Sequence, residues 1–305
     1  MPTLKEIKGR IGSVKSTLKI TSAMKLVSSA KLHKAQQAVE AMWPYEEALL
    51  QILAATEGTS ATKSADIVAL EPENTVSATN NAENVALPRV IVALASNSSL
   101  CGGFNTNVIA KVRSVRQPGD VVYSVGRKMA DAMRRDGFPA PEDLNALIEH
   151  PAYSPAAALV EKFMEEQAQG RIGEVLLVYT HFVSTARQVP VAEVLLEENY
   201  FSCSSPKNQF SSNNEVSASS SEDLILEPNR QVLRESLEPK VLKLKLYAAL
   251  LDSAAAEHAA RTVAMQTATD NAENLLAELT LQYNKGRQQK ITSEILDLAG
   301  GQNND

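Results

Sequence analysis

The sequence predicts an α/β protein: a long antiparallel two-helix coiled coil from the N- and C-termini, with a central Rossmann-like α/β domain. Three observations predict it. The last quarter of the chain, Gln231 to Gly300, has no proline after Pro239 and carries one continuous heptad seam. A second heptad seam occupies the N-terminal helix, residues 1–57. Between them, apolar runs alternate with helical stretches, as in a largely parallel sheet covered by helices.

The N-terminal helix opens on Thr3-Leu-Lys-Glu6, a capping box in which Thr3 and Glu6 each satisfy a backbone N–H of the other. Leu4, Ile7, Ile11, Val14 and Leu18 form the seam. Thr21, Lys25 and Ser28 interrupt it, and Ile20, Met24 and Val27 carry an adjacent stripe. The seam resumes at Leu32, Ala35, Val39 and Met42, then Leu49 and Leu53. Pro44 is expected to kink or interrupt the helix near Trp43, and Trp43 to pack at the junction with the central domain. Residues 58–87 are polar and aperiodic and read as a flexible loop.

The central domain, residues 88–200, begins with the buried strand Arg89 to Ala95. A Gly102-Gly103 turn and a helix to about Arg116 follow. Asp120 to Val125 and Glu174 to Thr180 read as strands, and Arg127 to Gly137 and Pro151 to Gln169 as helices. Gln188 to Leu196 is the fourth strand, with Pro190 pointing to an edge or a bulge. Residues 201–230 form a Ser-rich insertion and linker.

The C-terminal helix, residues 231–300, has its seam at Leu237, Val241, Leu244, Ala248, Leu251, Ala255, His258, Thr262, Met265, Thr269, Ala272, Leu276, Leu279 and Tyr283. Such a helix spans about 90–100 Å, longer than a globular domain needs, so part of it projects. Its middle is small and polar, which lets helices approach closely and fixes register at a cost in stability. By rise per residue, Thr3 falls opposite roughly residue 285, and the tip beyond runs on alone.

Composition bounds the function. The 305 residues carry a formal net charge of -6 and 5% aromatic residues, ordinary for a soluble chain rich in helix. Lys5, Lys8, Arg10, Lys15, Lys19, Lys25, Lys31 and Lys34 face only Glu6 before Val39, so the first helix is basic. A basic helix suits nucleic acid, anionic lipid or an acidic protein surface, or is simply solvated. Two cysteines exclude a disulfide scaffold. No apolar run reaches membrane-spanning length and no signal-peptide core is present, so a soluble or peripheral protein is expected.

Few groups suggest catalysis. Gly102-Gly103 could cradle a phosphate, but the dinucleotide and P-loop spacings are absent there, and a tight turn capped by Asn105 accounts for it equally well. Cys101 has no His or Asp nearby in sequence, and Cys203 lies in the insertion. His33 and His181 lack metal-ligand spacing, and His258 reads as a register-setting seam residue. No catalytic residue, cofactor or metal is expected, although a nucleotide-dependent Rossmann-like enzyme and a static coiled-coil scaffold are the alternative readings.

Three segments together resemble the gamma subunit family of F-type ATP synthases. They are Arg10-Ile11 through Lys19-Ile-Thr-Ser-Ala-Met-Lys25 to Lys34-Ala35, then Leu100-Cys-Gly-Gly-Phe-Asn105, and finally Glu257 and Arg261 through Asp270-Asn271-Ala272 to Leu281 to Glu294. The resemblance spans essentially the whole chain. It implies a non-catalytic central rotor shaft inside a ring of alpha and beta subunits. The shaft's head lies near the membrane c-ring, with the epsilon subunit as a further partner and no nucleic acid. It implies coupling of proton flow to ATP synthesis or hydrolysis on the beta subunits, at the cytoplasmic face of the bacterial inner membrane. Lys19, Ile20, Thr21, Met24 and Lys25 match the N-terminal coupling segment, and Arg287, Gln288 and Thr292 the C-terminal segment that meets a beta-subunit loop. Asn97 and Ser99 stand where the family has an acidic residue and a glycine. A single cysteine in the insertion gives no support to an internal disulfide switch.

Overall fold

The computed structural model describes residues 3–56, 87–197, 227 and 229–301, with side chains to residue 296. The loop expected at 58–87 falls almost wholly outside these residues, as do Cys203 and most of the Ser-rich insertion. The chain runs α1 (Leu4–Thr56), β1 (Val90–Leu94), α2 (Phe104–Val115), β2 (Val121–Val125), α3 (Arg127–Arg135), α4 (Asn145–Glu149), α5 (Tyr153–Ala168), β3 (Val175–Phe182), β4 (Gln188–Leu196) and α6 (Arg230–Gly301). The short α4 escapes the sequence, since five residues give no period to read.

α1 and α6 pair antiparallel over nearly the full length of α1. Leu49 and Leu53 pack with Leu237 and Val241 at one end, and Leu32 with Ala255 and Ala259 in the middle. At the other end Leu4 lies against Gly286, where an added Cβ would come within 3.1 Å of Leu4 Cδ2. The register therefore does not slip along the pair, and Thr3 does fall opposite the neighbourhood of residue 285. The capping box forms as expected: Thr3 N donates to Glu6 Oε2 at 3.0 Å, and Glu6 N to Thr3 Oγ1 at 3.3 Å.

Two expectations for α1 are corrected. The helix does not break at Pro44, which sits exposed within an uninterrupted 53-residue helix. A carbonyl freed by the missing N–H can be hydrated on that face. Trp43 is not packed at the junction but 57% exposed.

The sheet has the order β2-β1-β3-β4, with β1 parallel to β2 and β3, and β4 antiparallel on the edge. Pro190 stands on that edge strand, opposite Thr180, where its missing N–H costs no ladder bond. One face of the sheet is covered by α2 and α3 through Val108, Val112, Met129 and Met133. The other is covered by α5 through Phe163, and by α6 itself through Leu242, Leu246, Ala249 and Leu250. Thus α6 serves as one strand of the shaft and as part of the head's core.

Candidate functional site

The predicted coupling residues occupy two heights of one shaft. On α1, Thr21 points inward and is buried, and its Oγ1 lies 3.0 Å from Thr269 Oγ1 of α6. Ser28 is buried as well, while Met24 and Lys25 are half-buried. The polar residues expected to interrupt the seam are therefore the seam. The apolar stripe beside them faces outward: Ile20 and Val27 are mainly exposed, and Leu26, which sequence reasoning passed over, is 70% exposed. Lys19 is exposed beside Ile20. Ile20, Leu26 and Val27 thus leave apolar side chains exposed on an otherwise basic helix.

Arg287, Gln288 and Thr292 lie on the part of α6 that continues beyond Gly286, and all three are exposed. Thr292 Oγ1 donates to Gln288 O at 2.9 Å, so the hydroxyl is held along its own helix. Exposed Leu281, Ile291, Ile295 and Leu296 surround them. The structure does not bring the two groups together. Thr269 and Arg287 are separated by about 27 Å of helix at the standard rise.

The shaft is fastened to the head at three levels of α6, each about two turns from the next. Lys243 Nζ donates to Glu161 Oε1 at 2.5 Å, and Lys245 Nζ to Val194 O at 2.8 Å. Asp252 accepts from Phe182 N at 2.9 Å and meets His181 Nδ1 at 2.6 Å. Arg261 pairs with Glu257 at 2.7 Å and donates to Ser98 Oγ at 2.8 Å. Both members of that last pair are almost fully buried. Burial pushes the Glu257 carboxyl up despite Arg261, and pushes the Lys245 ammonium down despite Glu193 and Glu46. Sequence reasoning missed Lys243, Lys245 and Asp252. Their signal was charge placed within an Ala- and Leu-rich stretch, off the seam.

His258 is half-buried on the seam, and its Nδ1 has no partner. Burial, with Arg261 and Lys31 nearby, pulls its imidazole down to about 4, so it is neutral near pH 7. The turn after β1 differs from expectation. Asn105 does not cap α2. Its Oδ1 accepts from Ser96 N at 3.0 Å, and its Nδ2 lies 3.1 Å from Cys101 Sγ. The N-cap is Gly103, which makes no side-chain cap. Asn97 instead ties the turn to the rest of the head: Arg127 N donates to its Oδ1 and its Nδ2 donates to Asn145 O, both at 3.0 Å. Leu100, between Ser99 and Cys101, takes a left-handed φ of 68° and is exposed. Among the described residues, no cluster of three or more His, Cys, Asp or Glu could hold a metal, and no helix is long and apolar enough to cross a membrane.

These groups brace and dock. A stiff pair of helices, exposed apolar side chains and an exposed helical tip carrying Arg287 suit contact with surrounding protein. Comparison with known proteins agrees with that character. A family model described as ATP synthase matches residues 3–304. The ATP synthase gamma chain of Phocaeicola vulgatus is 45% identical, over 99% of both chains. That of Bacteroides thetaiotaomicron is 43% identical, again over 99% of both. Among solved structures, a Euglena gracilis mitochondrial ATP synthase chain has the same fold with a TM-score of 0.63. It is 21% identical and covers 98% of this chain and 93% of its own.

Proposed function

The chain belongs to the ATP synthase gamma-chain family, and from that premise we propose how it acts as the central rotor shaft of the enzyme. The observation that carries the reading is the double role of α6. Its Leu242, Leu246 and Leu250 are built into the head's core, while its Leu237, Val241 and Met265 lie in the shaft seam. Torque applied to the head then enters the shaft through packed side chains and the Asp252 and Arg261 ties, with no linker to twist. Packed interiors are stiff and transmit such strain.

In this reading the head stands towards the membrane c-ring and epsilon subunit, and the paired shaft passes into a ring of alpha and beta subunits. Ile20, Leu26 and Val27, with Lys19 and Lys25, meet acidic loops of the beta subunits at one height. Arg287, Gln288 and Thr292 meet a beta-subunit loop about 27 Å further along, by helical rise. The shaft is asymmetric because only α6 continues past Leu4. Rotation therefore presents each catalytic site with a different face in turn. Bond making and breaking occur on the partner subunits, and this chain supplies sequence and coupling to proton flow at the cytoplasmic face of the membrane.

The test is a reversible lock. A cysteine introduced at Gln288 and disulfide-linked to a beta-subunit loop should stop ATP turnover, and reduction should restore it. Full turnover with the link in place would sink the rotor reading, while a static scaffold would tolerate the link.

A further inference from the structure

α1 carries the segment from Lys19 to Lys25, yet among the described residues none of α1 belongs to either of the head's two cores. α6 does, through Leu242, Leu246 and Leu250. A turning head therefore grips one helix of the shaft and has to carry the other. Around Leu32 of α1 the α6 side of the seam is small, Ala255 and Ala259. Small side chains let helices approach closely but bury little.

One element of the head reaches that level. β1 pairs with β3 only as far as Val178, so Tyr179 to Phe182 have β4 alone beside them and form a two-stranded ribbon. Two side chains of α6, about two turns apart, hold β4 and the ribbon against the shaft. Lys245 Nζ donates to Val194 O of β4 at 2.8 Å. Asp252 grips the ribbon's end: its Oδ1 accepts from Phe182 N at 2.9 Å, and its Oδ2 lies 2.6 Å from His181 Nδ1. Phe182 is half-buried and packs against two groups at once. One is Leu32 of α1 with Ala255 and Ala259 of α6, and the other is Cys101 and Phe104 of the head with Ala256 of α6. The ring thus stands where head, α1 and α6 meet. An aromatic side chain can bury roughly 150–250 Å², area that the alanines of the seam do not supply.

We propose that the β3–β4 ribbon is the key through which the head turns α1, with Phe182 as the bearing side chain and Asp252 as the positioning residue that seats it. The inference rests on the rotor reading and adds to it a path to the second helix. Rotation of the head presses the Phe182 ring on the Leu32 level of the shaft, and close-packed side chains pass the displacement on. Without the ring, α1 follows α6 through the seam alone, and the turn of the head reaches the N-terminal coupling segment incompletely.

Membrane vesicles carrying the assembled enzyme report protons moved per ATP hydrolysed, alongside the hydrolysis rate. Phe182→Ala should lower that ratio by about twofold or more. Phe182→Leu, which refills most of the space, should restore most of it. Asp252→Ala should lower the ratio in the same direction. Asp252→Asn, which keeps an oxygen for Phe182 N, should lie close to the unchanged protein. Leu159→Ala, in the head core that holds no residue of α1, should lower the melting temperature and leave the ratio intact. That variant separates a path for torque from a loss of stability. A ratio unchanged in Phe182→Ala overturns the proposal, as does an equal fall in Leu159→Ala. Should Phe182→Ala not assemble, Asp252→Ala decides by the same ratio. The Gln288 lock keeps the two readings apart: turnover through the lock sinks the rotor, whereas a lock that holds beside an unchanged ratio sinks the key alone.

Discussion

Thr21 and Thr269 meet hydroxyl to hydroxyl across the shaft at 3.0 Å, the polar layer at which the α1 and α6 seams cross. Each oxygen also reaches a carbonyl of its own helix, Leu18 O at 3.1 Å and Met265 O at 2.8 Å. Two protons thus serve three contacts: one bridges the pair and the other returns to a helix backbone.

Replacing either threonine alone by valine should destabilise by about 1 kcal/mol, the net worth of one hydrogen bond whose partner is left behind. The double variant Thr21→Val with Thr269→Val should recover most of that loss, since two methyl groups then pack where two hydroxyls met. Denaturant unfolding of all four members of the cycle measures the coupling. Strictly additive losses would count against the bridge.

His258 predicts a pH dependence. Its imidazole is held near 4 in the folded chain, against an ordinary value of 6.5. The unfolded chain therefore binds a proton between those values that the folded chain refuses. The contribution to stability is full above about 6.5 and is lost as pH falls towards 4. Lys31 from α1 and Arg261 and Glu257 from α6 face this region, and Glu257, whose carboxyl is pushed up, acts in the opposite sense. His258→Leu should flatten the fall in melting temperature between pH 6.5 and 4. Melting curves of the two proteins across that range check it.

Removing one partner of the buried pair should be severe. Arg261→Met leaves Glu257 buried without its cation and cuts the tie to Ser98, an expected loss of about 3 kcal/mol or more near neutral pH. The loss should shrink at lower pH, where the carboxyl takes up a proton. Equal destabilisation at pH 5 and pH 8 would contradict this account.

At the exposed tip, Arg287→Ala combined with Gln288→Ala should leave the melting temperature within about 1 °C, because neither side chain is packed. Coupled turnover of the assembled enzyme should fall about tenfold, the value of one charge-assisted hydrogen bond. An unchanged rate in a normally assembled complex would remove these residues from the coupling surface.

Gly286 gives a local prediction. Leu4 packs onto it as the end of a flexible side chain near the helix start. Gly286→Ala should therefore be tolerated, gaining helix propensity of up to about 1 kcal/mol against a small shift of Leu4. Gly286→Trp should part the first turn of α1 from α6, seen as faster amide exchange over residues 4–11.

The heptad period made the shaft legible. All fourteen seam positions read on α6 are buried or half-buried, and the extrapolated register matches Leu4 against Gly286. Polarity misled where chemistry and phase disagreed. Thr21, Lys25 and Ser28 keep the heptad phase, yet their polarity suggested an interruption, and apolar Ile20, Met24 and Val27 read as an adjacent stripe. Phase was the better guide, because a partner helix is met at fixed intervals whatever the side chain. The second buried face of α6 was hidden for a different reason. Leu242, Leu246 and Leu250 contact the sheet, and nothing local to the helix announces a neighbour so distant in sequence.

Leu4 and Gly286 also set an order of events during synthesis. At about 5–20 residues per second, α1 leaves the ribosome some tens of seconds before the segment that covers its seam. The central domain can reach most of its core in that interval, but not the part supplied by α6. The seam of α1 therefore stays uncovered until the residues of α6 that pack on it, Leu237 to Gly286, have been made. Like charge on Lys5, Lys8, Lys15, Lys19, Lys25, Lys31 and Lys34 opposes self-association of α1.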